Sequence, residues 1–265
     1  MRLFDVHSHL QDSRLDLTRE AVILRAKNSG VVKMLSCGVH EGDWDALSQI
    51  SSRFDAVCPA YGLHPWFIDT RSESWIKRLE AIIATTGASI GEIGLDRMIQ
   101  DRSDEDQKAV FIAQLRLARK YQVPVSVHCR KSWALMAEIL EREGGFPFGG
   151  VIHAYSGSGE MVKVFEKLGA YISFSGSITK PDNKRVSEAV KQVSGDRLLI
   201  ETDSPDILPH GAPRTLNEPA FIHFVLSAVA ERRGERIEKI AEMTFENSMR
   251  IYGKFCCRKE NSHEF

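Results

Sequence analysis

With 265 residues, the chain is longer than the about 100 to 200 residues of a typical domain, which suits one α/β barrel or two smaller domains. Its 43% hydrophobic and 27% charged residues exclude disordered, collagen-like and low-complexity proteins. The net charge of −1 excludes a chain-wide positive field for duplex nucleic acid, so a polyanion would have to be held locally.

Short segments typical of strands alternate with helical patterns along the whole chain. The pattern predicts strands over residues 3–9, 31–39, 56–64, 89–96, 124–129, 150–155, 171–177 and 198–203. Apolar residues at spacings of three and four predict amphipathic helices between them, for example over 18–28, 75–84, 106–121 and 161–168. About eight strand–helix repeats predict an α/β fold, a (β/α)₈ TIM-type barrel. Residues 218–252 predict extra C-terminal helices on its outside.

No proline-rich or serine-rich linker divides the sequence, so we expect one domain over residues 1–255 and a polar C-terminal tail over 256–265. Neither an apolar run of membrane length nor a basic and apolar leader is present, which predicts a cytoplasmic protein with no membrane segment. The cysteines match no disulfide framework or zinc motif, so we expect reduced and mostly buried thiols. They are Cys37, Cys58, Cys129, Cys256 and Cys257.

Histidines and carboxylates lie at the ends of predicted strands, which meet at one mouth of a parallel barrel. His7 and His9 are two residues apart on the first strand, so both imidazoles point to one face and can chelate one metal ion. On the fourth strand, Glu92 shares a face with Gly94, whose missing side chain leaves room beside the carboxylate. Because this strand has no Lys or Arg to pair with a buried glutamate, Glu92 is a candidate to bridge two cations.

Later strands add ligands of the same types at the same mouth. His128 faces the interior on the fifth strand, and Asp203 ends the eighth strand one layer above Glu201, which is placed to orient a ligand. A single histidine at a strand end is more often structural, but a set spread over five strands predicts a metal site. The predicted ligands are His7, His9, Glu92, His128, His153 and Asp203.

Imidazole and carboxylate ligands suit zinc, manganese or magnesium, and their spacing does not choose among these ions. About six ligands overfill one catalytic ion, so we expect two divalent ions that share Glu92. The expected chemistry is hydrolysis by metal-activated water, with Glu92 and Asp203 as catalytic residues and Asp203 as general base if it is not fully committed as a ligand. No nucleophile elbow, phosphate loop or dinucleotide fingerprint offers a competing mechanism.

These residues belong to motifs that run nearly end to end. The motifs are Asp5-Val6-His7-Ser8-His9, Gly62-Leu63-His64-Pro65, Gly91-Glu92-Ile93-Gly94-Leu95-Asp96, Pro124-Val125 followed by His128-Cys129-Arg130, Ile172-Ser173-Phe174-Ser175-Gly176, Glu201-Thr202-Asp203-Ser204-Pro205 and Asn217-Glu218-Pro219. With them the chain resembles the TatD-type metal-dependent DNases, a branch of the amidohydrolase-like barrels. The resemblance implies two metal ions, one held by His7, His9, Glu92 and Asp203 and the other by Glu92, His128 and His153. It also implies hydrolysis of DNA phosphodiesters, commonly from the 3′ end of single strands.

Substrate contacts are expected around the same mouth. The resemblance favours phosphate binding by His64, while spacing alone equally allows a turn histidine bonded to backbone. A local basic rim is predicted to hold a strand backbone, and it comprises Arg130, Lys131, Lys180, Lys184, Arg185, His210 and Arg214. Candidate aromatic residues for stacking on bases are Trp66, Phe67 and Tyr155, and Tyr155 is included among the substrate-binding residues. Where the family usually has an aromatic residue after Gly-Leu-Asp, this chain has Arg97, either a phosphate contact or a solvated charge, and Met98.

The leading hypothesis is a metal-dependent deoxyribonuclease that acts as a 3′-end exonuclease on single-stranded DNA, without an obligate protein partner. The alternative is a metal-dependent ester or amide hydrolase of the same superfamily, acting on small molecules or on aminoacyl-tRNA. Many such barrels bridge their metals with a carboxylated lysine on the fourth strand, so Glu92 on that strand favours the DNase branch. A non-catalytic barrel with structural or lost metals is a further hypothesis, which the complete ligand set disfavours.

Overall fold

The computed structural model describes residues 1–100 and 103–256. Within these residues, eight parallel strands form one sheet in the order β1 to β8. The strands are β1 (Leu3–Ser8), β2 (Val31–Cys37), β3 (Val57–Tyr61), β4 (Ser89–Asp96), β5 (Val125–Arg130), β6 (Gly150–Ile152), β7 (Ala170–Phe174) and β8 (Leu198–Ile200). The sheet nearly closes on itself, because the amide of His9 donates to the Ser204 carbonyl at 2.7 Å and that of Asp203 to the His7 carbonyl at 2.9 Å. The predicted TIM-type barrel is confirmed.

Helices cover the outer face of this sheet. Those described are α1 (Arg19–Asn28), α2 (Trp44–Arg53), α3 (Trp75–Thr86), α4 (Asp104–Tyr121), α5 (Trp133–Arg142), α6 (Gly159–Lys167), α7 (Lys184–Gln192), α8 (Ile222–Arg233) and α9 (Ile237–Tyr252). The first seven connect consecutive strands, α8 completes the eighth repeat, and α9 is additional, which confirms the expected C-terminal helices. None of the described helices is long and apolar enough to cross a membrane.

Helix α4 shows how the local sequence fixes the ends of an element. The Ser103 hydroxyl accepts hydrogen bonds from the amides of Glu105 and Asp106, which caps the helix, and three acidic residues occupy its first turn. Basic residues occupy its last turn, and both charge placements are favourable for the helix dipole. The helix ends where Gln122 adopts a left-handed conformation with φ of +54°.

Alternating residues of the strands pack into two apolar layers. The outer layer lies between the sheet and the helices and contains Val125, Val127 and Cys129 of β5. The inner layer fills the barrel with residues from several strands and from the end of α9, namely Phe4, Val6, Leu35, Cys37, Cys58, Ala60, Val151, Tyr171, Leu199, Ile251, Tyr252 and Cys256. Because Phe4 and Cys58 lie near the starts of their strands, the end of α9 closes the amino-terminal end of the barrel and leaves the opposite mouth polar.

Cys58 on β3 and Cys256 after α9 form a disulfide, with Cα atoms 4.9 Å apart. The expectation of reduced thiols is wrong for this pair. The fold brings the segment after α9 back to the amino-terminal end of the barrel, called the floor below, where it meets Cys58 from 198 residues away in sequence. The expectation is confirmed for Cys37 and Cys129, which are free and buried. Cys256 itself is 9% exposed, although the tail is predicted to begin there. Residues 257–265, with Cys257, lie outside the described residues, so the division into a domain over 1–255 and a tail stays a prediction.

Candidate metal centre

The structure brings all six predicted ligands to the carboxyl-terminal mouth of the barrel. Those on strands are His7, Glu92 and His128, and those on the loops directly after β1, β6 and β8 are His9, His153 and Asp203. Strands β6 and β8 are shorter than predicted and end at Ile152 and Ile200. The backbone leaves the pleated conformation soon afterwards, since Ala154 and Asp203 have φ angles of +42° and +58°.

The carboxylate of Glu92 lies at the centre of the cluster and is only 3% exposed. Its Oε1 lies 3.0 Å from His128 Nδ1, 2.8 Å from His153 Nε2 and 3.2 Å from His64 Nε2. A second group of imidazoles faces Oε2. The two oxygens therefore point to different sets of nitrogens, an arrangement suited to a carboxylate shared by two cations.

The Oε2 side of Glu92 faces the β1 histidines and Asp203. Oε2 lies 3.4 Å from His7 Nε2 and 3.3 Å from His9 Nε2. Asp203 Oδ1 lies 3.8 Å and 3.4 Å from the same two nitrogens. Two carboxylates and two imidazoles thus enclose one space between them.

The neighbouring charges shift the pKa values of His9 and Asp203 toward their ionised forms. Burial alone would lower the pKa of His9, but the Asp203 and Glu92 carboxylates raise it to about 9. Burial alone would raise the pKa of Asp203, but the hydrogen bond from His9 and the surrounding imidazoles lower it to about 2. Asp203 is therefore a carboxylate at neutral pH, the form that ligates a cation or accepts a proton.

Three of the four predicted histidine ligands have a hydrogen-bond partner for the ring nitrogen that faces away from Glu92. The partners are Ser126 Oγ for His7 Nδ1 at 2.8 Å, the Cys37 carbonyl for His9 Nδ1 at 2.8 Å and Asp96 Oδ2 for His128 Nε2 at 3.2 Å. His153 Nδ1 makes no hydrogen bond among the described residues and lies 3.4 Å from Glu201 Oε1. Carbonyl and carboxylate oxygens only accept, so His9 Nδ1 and His128 Nε2, which face such oxygens, carry a proton. Glu92 is an acceptor as well, so the nitrogens of His9 and His128 that face it are also protonated in the metal-free protein, in line with the raised pKa of both rings. A cation bound here would displace the protons on the Glu92 side, while the partners on the far side keep the rings oriented, as in metal-binding histidines.

The donor atoms also meet the spacing of a metal site. Among the described residues, three groups each offer ligand atoms within 4.8 Å of one another. They are His7 with His153 and Asp203, His7 with His9 and Glu92, and His64 with Glu92 and His128. Imidazole nitrogen and carboxylate oxygen are the ligands that borderline divalent ions prefer. The residues present therefore fit divalent metal ions.

His64 differs from the other histidines of the cluster. Its Nδ1 accepts a hydrogen bond from the amide of Trp66 at 3.1 Å, so its Nε2 carries the proton and donates toward Glu92. Burial, opposed by the Glu92 charge, lowers the pKa of His64 to about 4, which keeps the ring neutral. A protonated Nε2 is a donor to an anion and has no lone pair for a metal. This geometry matches the predicted role in phosphate binding better than a role as ligand.

Two buried carboxylates support the histidine ligands from behind. Glu201 is 0% exposed and is held by the amide of Ala154, which donates to its Oε1 at 2.6 Å, and its predicted role of orienting a ligand stays a prediction. Asp96 contacts His128 in a similar way, because its Oδ2 accepts from His128 Nε2 at 3.2 Å. The sequence alone assigned Asp96 no function. The available signal was its position: β4 and β5 are neighbours in the predicted barrel, and Asp96 ends β4 beside the end of β5.

Gly94 has a role other than the predicted one. A Cβ atom built at this residue would lie 1.9 Å from the carbonyl oxygen of His128, and the φ angle of Gly94 is +150°. The glycine therefore lets β4 approach the β5 backbone closely and makes no space beside the Glu92 carboxylate. The register of these two strands is irregular between Ile90 and Ile93, so strict alternation does not hold there.

The predicted substrate-binding residues are not all at the mouth. Arg130 is exposed and borders a cavity beside the cluster. Tyr155 is 0% exposed, and its hydroxyl donates to the Ser158 carbonyl at 2.7 Å, so it is a core residue that cannot contact a substrate. Arg97 pairs with Asp104 at 2.9 Å in an exposed position, which favours the solvated charge over the phosphate contact.

Comparison with known proteins identifies the family. The family model described as TatD related DNase matches residues 4–253. The chain is 36% identical over 254 residues to the uncharacterized metal-dependent hydrolase YabD of Bacillus subtilis, covering 94% of this chain and 98% of that protein. It is 30% identical over 260 residues to the 3′-5′ ssDNA/RNA exonuclease TatD of Cronobacter sakazakii, covering 95% and 98%. The crystal structure of YjjV, a TatD homologue from Escherichia coli K12, has a TM-score of 0.90 at 28% identity, covering 95% and 98%.

These matches agree with the geometry of the mouth. A cluster of metal-ready histidines and carboxylates at the carboxyl-terminal end of a barrel is where hydrolases of this fold act. The protein is a metal-dependent hydrolase, and the chain belongs to the TatD-related DNase family.

Proposed function

We propose that the protein removes nucleotides from the 3′ end of single-stranded DNA with two divalent metal ions. The observation that carries the proposal is the Glu92 carboxylate, whose two oxygens face separate sets of imidazole nitrogens. One ion would be held by His7, His9, Glu92 and Asp203, and the other by Glu92, His128 and His153. A relative named a 3′-5′ ssDNA/RNA exonuclease supports the polarity and the substrate class.

When bound, the two ions supply Lewis acidity toward a phosphate oxygen and lower the pKa of a water molecule. The side chains of this chain do the rest. Asp203, ionised at neutral pH, can accept the proton of the attacking water as general base if its carboxylate is not fully committed as a ligand. His64 can donate its Nε2 proton to a phosphate oxygen, because the Trp66 amide fixes that tautomer. Glu92 keeps the imidazoles of the two sets at fixed distances.

An ester or amide hydrolase of the same superfamily is the rival function, because such enzymes need the same metal-activated water. Two observations favour the nuclease. His64 offers a neutral donor beside the cluster, and Arg130 adds a positive charge at the edge of the mouth, both suited to a phosphodiester anion. Acyl substrates carry no such charge at the reacting centre.

The test is degradation of end-labelled single-stranded DNA by chelated protein to which magnesium, manganese or zinc is then restored. We expect metal-dependent shortening from the 3′ end and about two ions per chain by elemental analysis. Glu92→Ala should lose more activity than the about 10- to 100-fold caused by changes behind metal ligands, because it removes the shared ligand itself. Its circular dichroism should remain that of the wild type.

Glu141→Ala is the matched control, since Glu141 is exposed near the end of α5, away from the mouth. It should cleave DNA like the wild type. DNA cleavage by Glu92→Ala at the wild-type rate would contradict the two-metal proposal. Turnover of carboxylic esters without any cleavage of DNA, lost again in Glu92→Ala, would keep the metal centre and establish the rival function.

A further inference from the structure

A cavity of about 270 Å³ opens at the mouth, directly beside the metal centre. It is lined by Trp66, Asp96, Met98, Ile99 and Arg130. The volume lies just under the about 300–1,000 Å³ of cavities that enclose drug-sized ligands, so it suits a smaller, flat group. The proposed function uses Arg130 at its edge and leaves the interior of this space without an occupant.

The cavity is joined to the metal centre through one residue. Asp96 Oδ2 accepts a hydrogen bond from Trp66 Nε1 at 2.7 Å and lies 3.2 Å from His128 Nε2. The amide of Met98 donates to Asp96 Oδ1 at 2.8 Å. Three donors therefore satisfy this buried carboxylate, and a group in the cavity would lie one side chain away from a predicted metal ligand.

The indole of Trp66 forms a fixed and accessible wall of the cavity. It is 49% exposed, yet its position is set by the bond to Asp96 and by an edge-on contact with His64, with ring centroids 5.3 Å apart. Met98, which is 52% exposed, adds an apolar side chain. A large aromatic surface held in one orientation at low entropic cost is suited to stacking a planar ring.

The edge of the cavity carries a positive charge. Arg130 is exposed at its edge, and no carboxylate among residues 1–100 and 103–256 lies within ion-pair distance of its guanidinium. Aromatic and apolar walls next to a cation suit a ligand that is planar and apolar on one side and anionic on the other. A nucleobase carried by a phosphodiester has this chemistry.

We propose that this cavity is the subsite for a nucleobase flanking the scissile phosphate, with Trp66 stacking on the base and Arg130 contacting the adjoining phosphate. The inference rests on the proposed nuclease function and extends it to the residue that recognises the nucleotide. Stacking on any base gives affinity with little sequence preference, as expected for an enzyme that shortens a strand stepwise.

The test compares a 5′-labelled oligothymidylate with the same strand carrying one abasic residue, placed in turn at each of the two 3′-terminal positions. With the wild type, the abasic residue at one position should lower kcat/KM by roughly 5- to 140-fold, which is the fold-change for about 1–3 kcal/mol of stacking per base. Trp66→Ala should lose the same factor on the intact strand and little on the abasic strand. Trp66→Phe, which keeps a ring but loses the bond to Asp96, should retain most of the discrimination.

Phe148→Ala is the matched control, because Phe148 is a 37% exposed aromatic residue that precedes β6 at the opposite end of the barrel. It should discriminate like the wild type. If Trp66→Ala slows cleavage of the intact and the abasic strand equally, Trp66 acts only through Asp96, and the proposed base-binding subsite is contradicted.

Equilibrium binding in EDTA gives a readout without turnover. The wild type should bind the intact strand more tightly than the abasic one, and Trp66→Ala should bind both alike. Failure of the wild type to cleave any strand under any metal would overturn the proposed function, and the binding arm would then decide the subsite alone. Equal wild-type affinity for both strands would overturn the subsite.

Discussion

The histidines of the centre differ in the partners of their two ring nitrogens, and this difference separates their proposed roles. His128 turns Nδ1 toward Glu92 and Nε2 toward Asp96, so both nitrogens face an acceptor, and a cation beside Glu92 would displace the proton on Nδ1. His64 has an acceptor on one side only, because a backbone amide donates to its Nδ1. Histidines with nearly equal distances to Glu92 are therefore proposed to divide into ligands and a proton donor.

Asp96 is predicted to set the position of His128, and Asp96→Asn tests this. The amide keeps the size of the side chain but removes the charge that orients the imidazole, so we expect about a 10- to 100-fold loss of metal affinity and activity. Competition with a chelator and steady-state kinetics would measure both. Asp104→Asn, in an exposed ion pair with Arg97, should change neither. Unchanged metal affinity in Asp96→Asn would show that Asp96 does not position His128 for metal binding.

The pKa of Asp96 indicates the pH range of this support. Burial opposes ionisation, but the hydrogen bonds from His128 and Trp66 lower the pKa from 3.8 to about 2. A carboxylate with a depressed pKa contributes its stabilisation fully above its unfolded pKa and loses it as the pH falls through the folded value. The contact with His128 should therefore persist across the neutral range and be lost only between about pH 4 and pH 2.

Sequence patterns predict which residues face the mouth, and they do so best where the pattern is local. The period of two places His7 and His9 together without further information. Asp96 and Tyr155 depend on contacts between distant segments. Asp96 acquires its function from the neighbouring strand, and Tyr155 is drawn into the core by packing against Trp133. The cavity beside Trp66 likewise arises only when the loops after β3 and β4 meet the ends of β4 and β5.

At the scale of elements, strands β4 and β5 carry the central part of the site, and their spacing depends on Gly94. The two strands hold Glu92 and His128, and their backbones approach so closely that any side chain at Gly94 meets the His128 carbonyl. Sequence analysis predicts β4 with the bounds that the structure has, yet it cannot show what a missing side chain accommodates. That information lies on the adjacent strand.

Gly94→Ala should separate β4 from β5. The added methyl group would lie 1.9 Å from a carbonyl oxygen at a φ of +150°, so we expect a loss of at least about 1–3 kcal/mol of stability. At roughly 2–4 °C per kcal/mol, the melting temperature should fall clearly, and metal affinity should fall with it. Gly87→Ala is the control, since Gly87 has a φ of +66° and open space around it and should lose only about 1 kcal/mol. Equal losses in the two variants would show that the β4–β5 contact is unimportant.

At the scale of the whole molecule, the barrel has one polar and one closed end. The mouth gathers the ligands, while the floor is filled by Ile251 and Tyr252 from the end of α9 and sealed by the Cys58–Cys256 disulfide. Lys33 Nζ donates to the Cys256 carbonyl at 3.0 Å and fixes the same segment. The disulfide and the candidate metal ligands thus lie at opposite ends of the barrel. We therefore expect a substitution at the floor to lower stability without changing metal binding or activity.

Removing the disulfide tests this separation. A bond that links residues 198 positions apart is worth about 5 kcal/mol in the chain-entropy relation, with typical measured values of about 2–4 kcal/mol. Cys256→Ala should therefore melt several degrees below the oxidised wild type, while its metal content and its activity on single-stranded DNA stay the same. Dithiothreitol should lower the melting temperature of the wild type to that of the variant and leave the variant unchanged. A variant that melts like the wild type would show that packing of α9 alone closes the floor, and a variant that loses activity would show that the floor and the mouth are coupled.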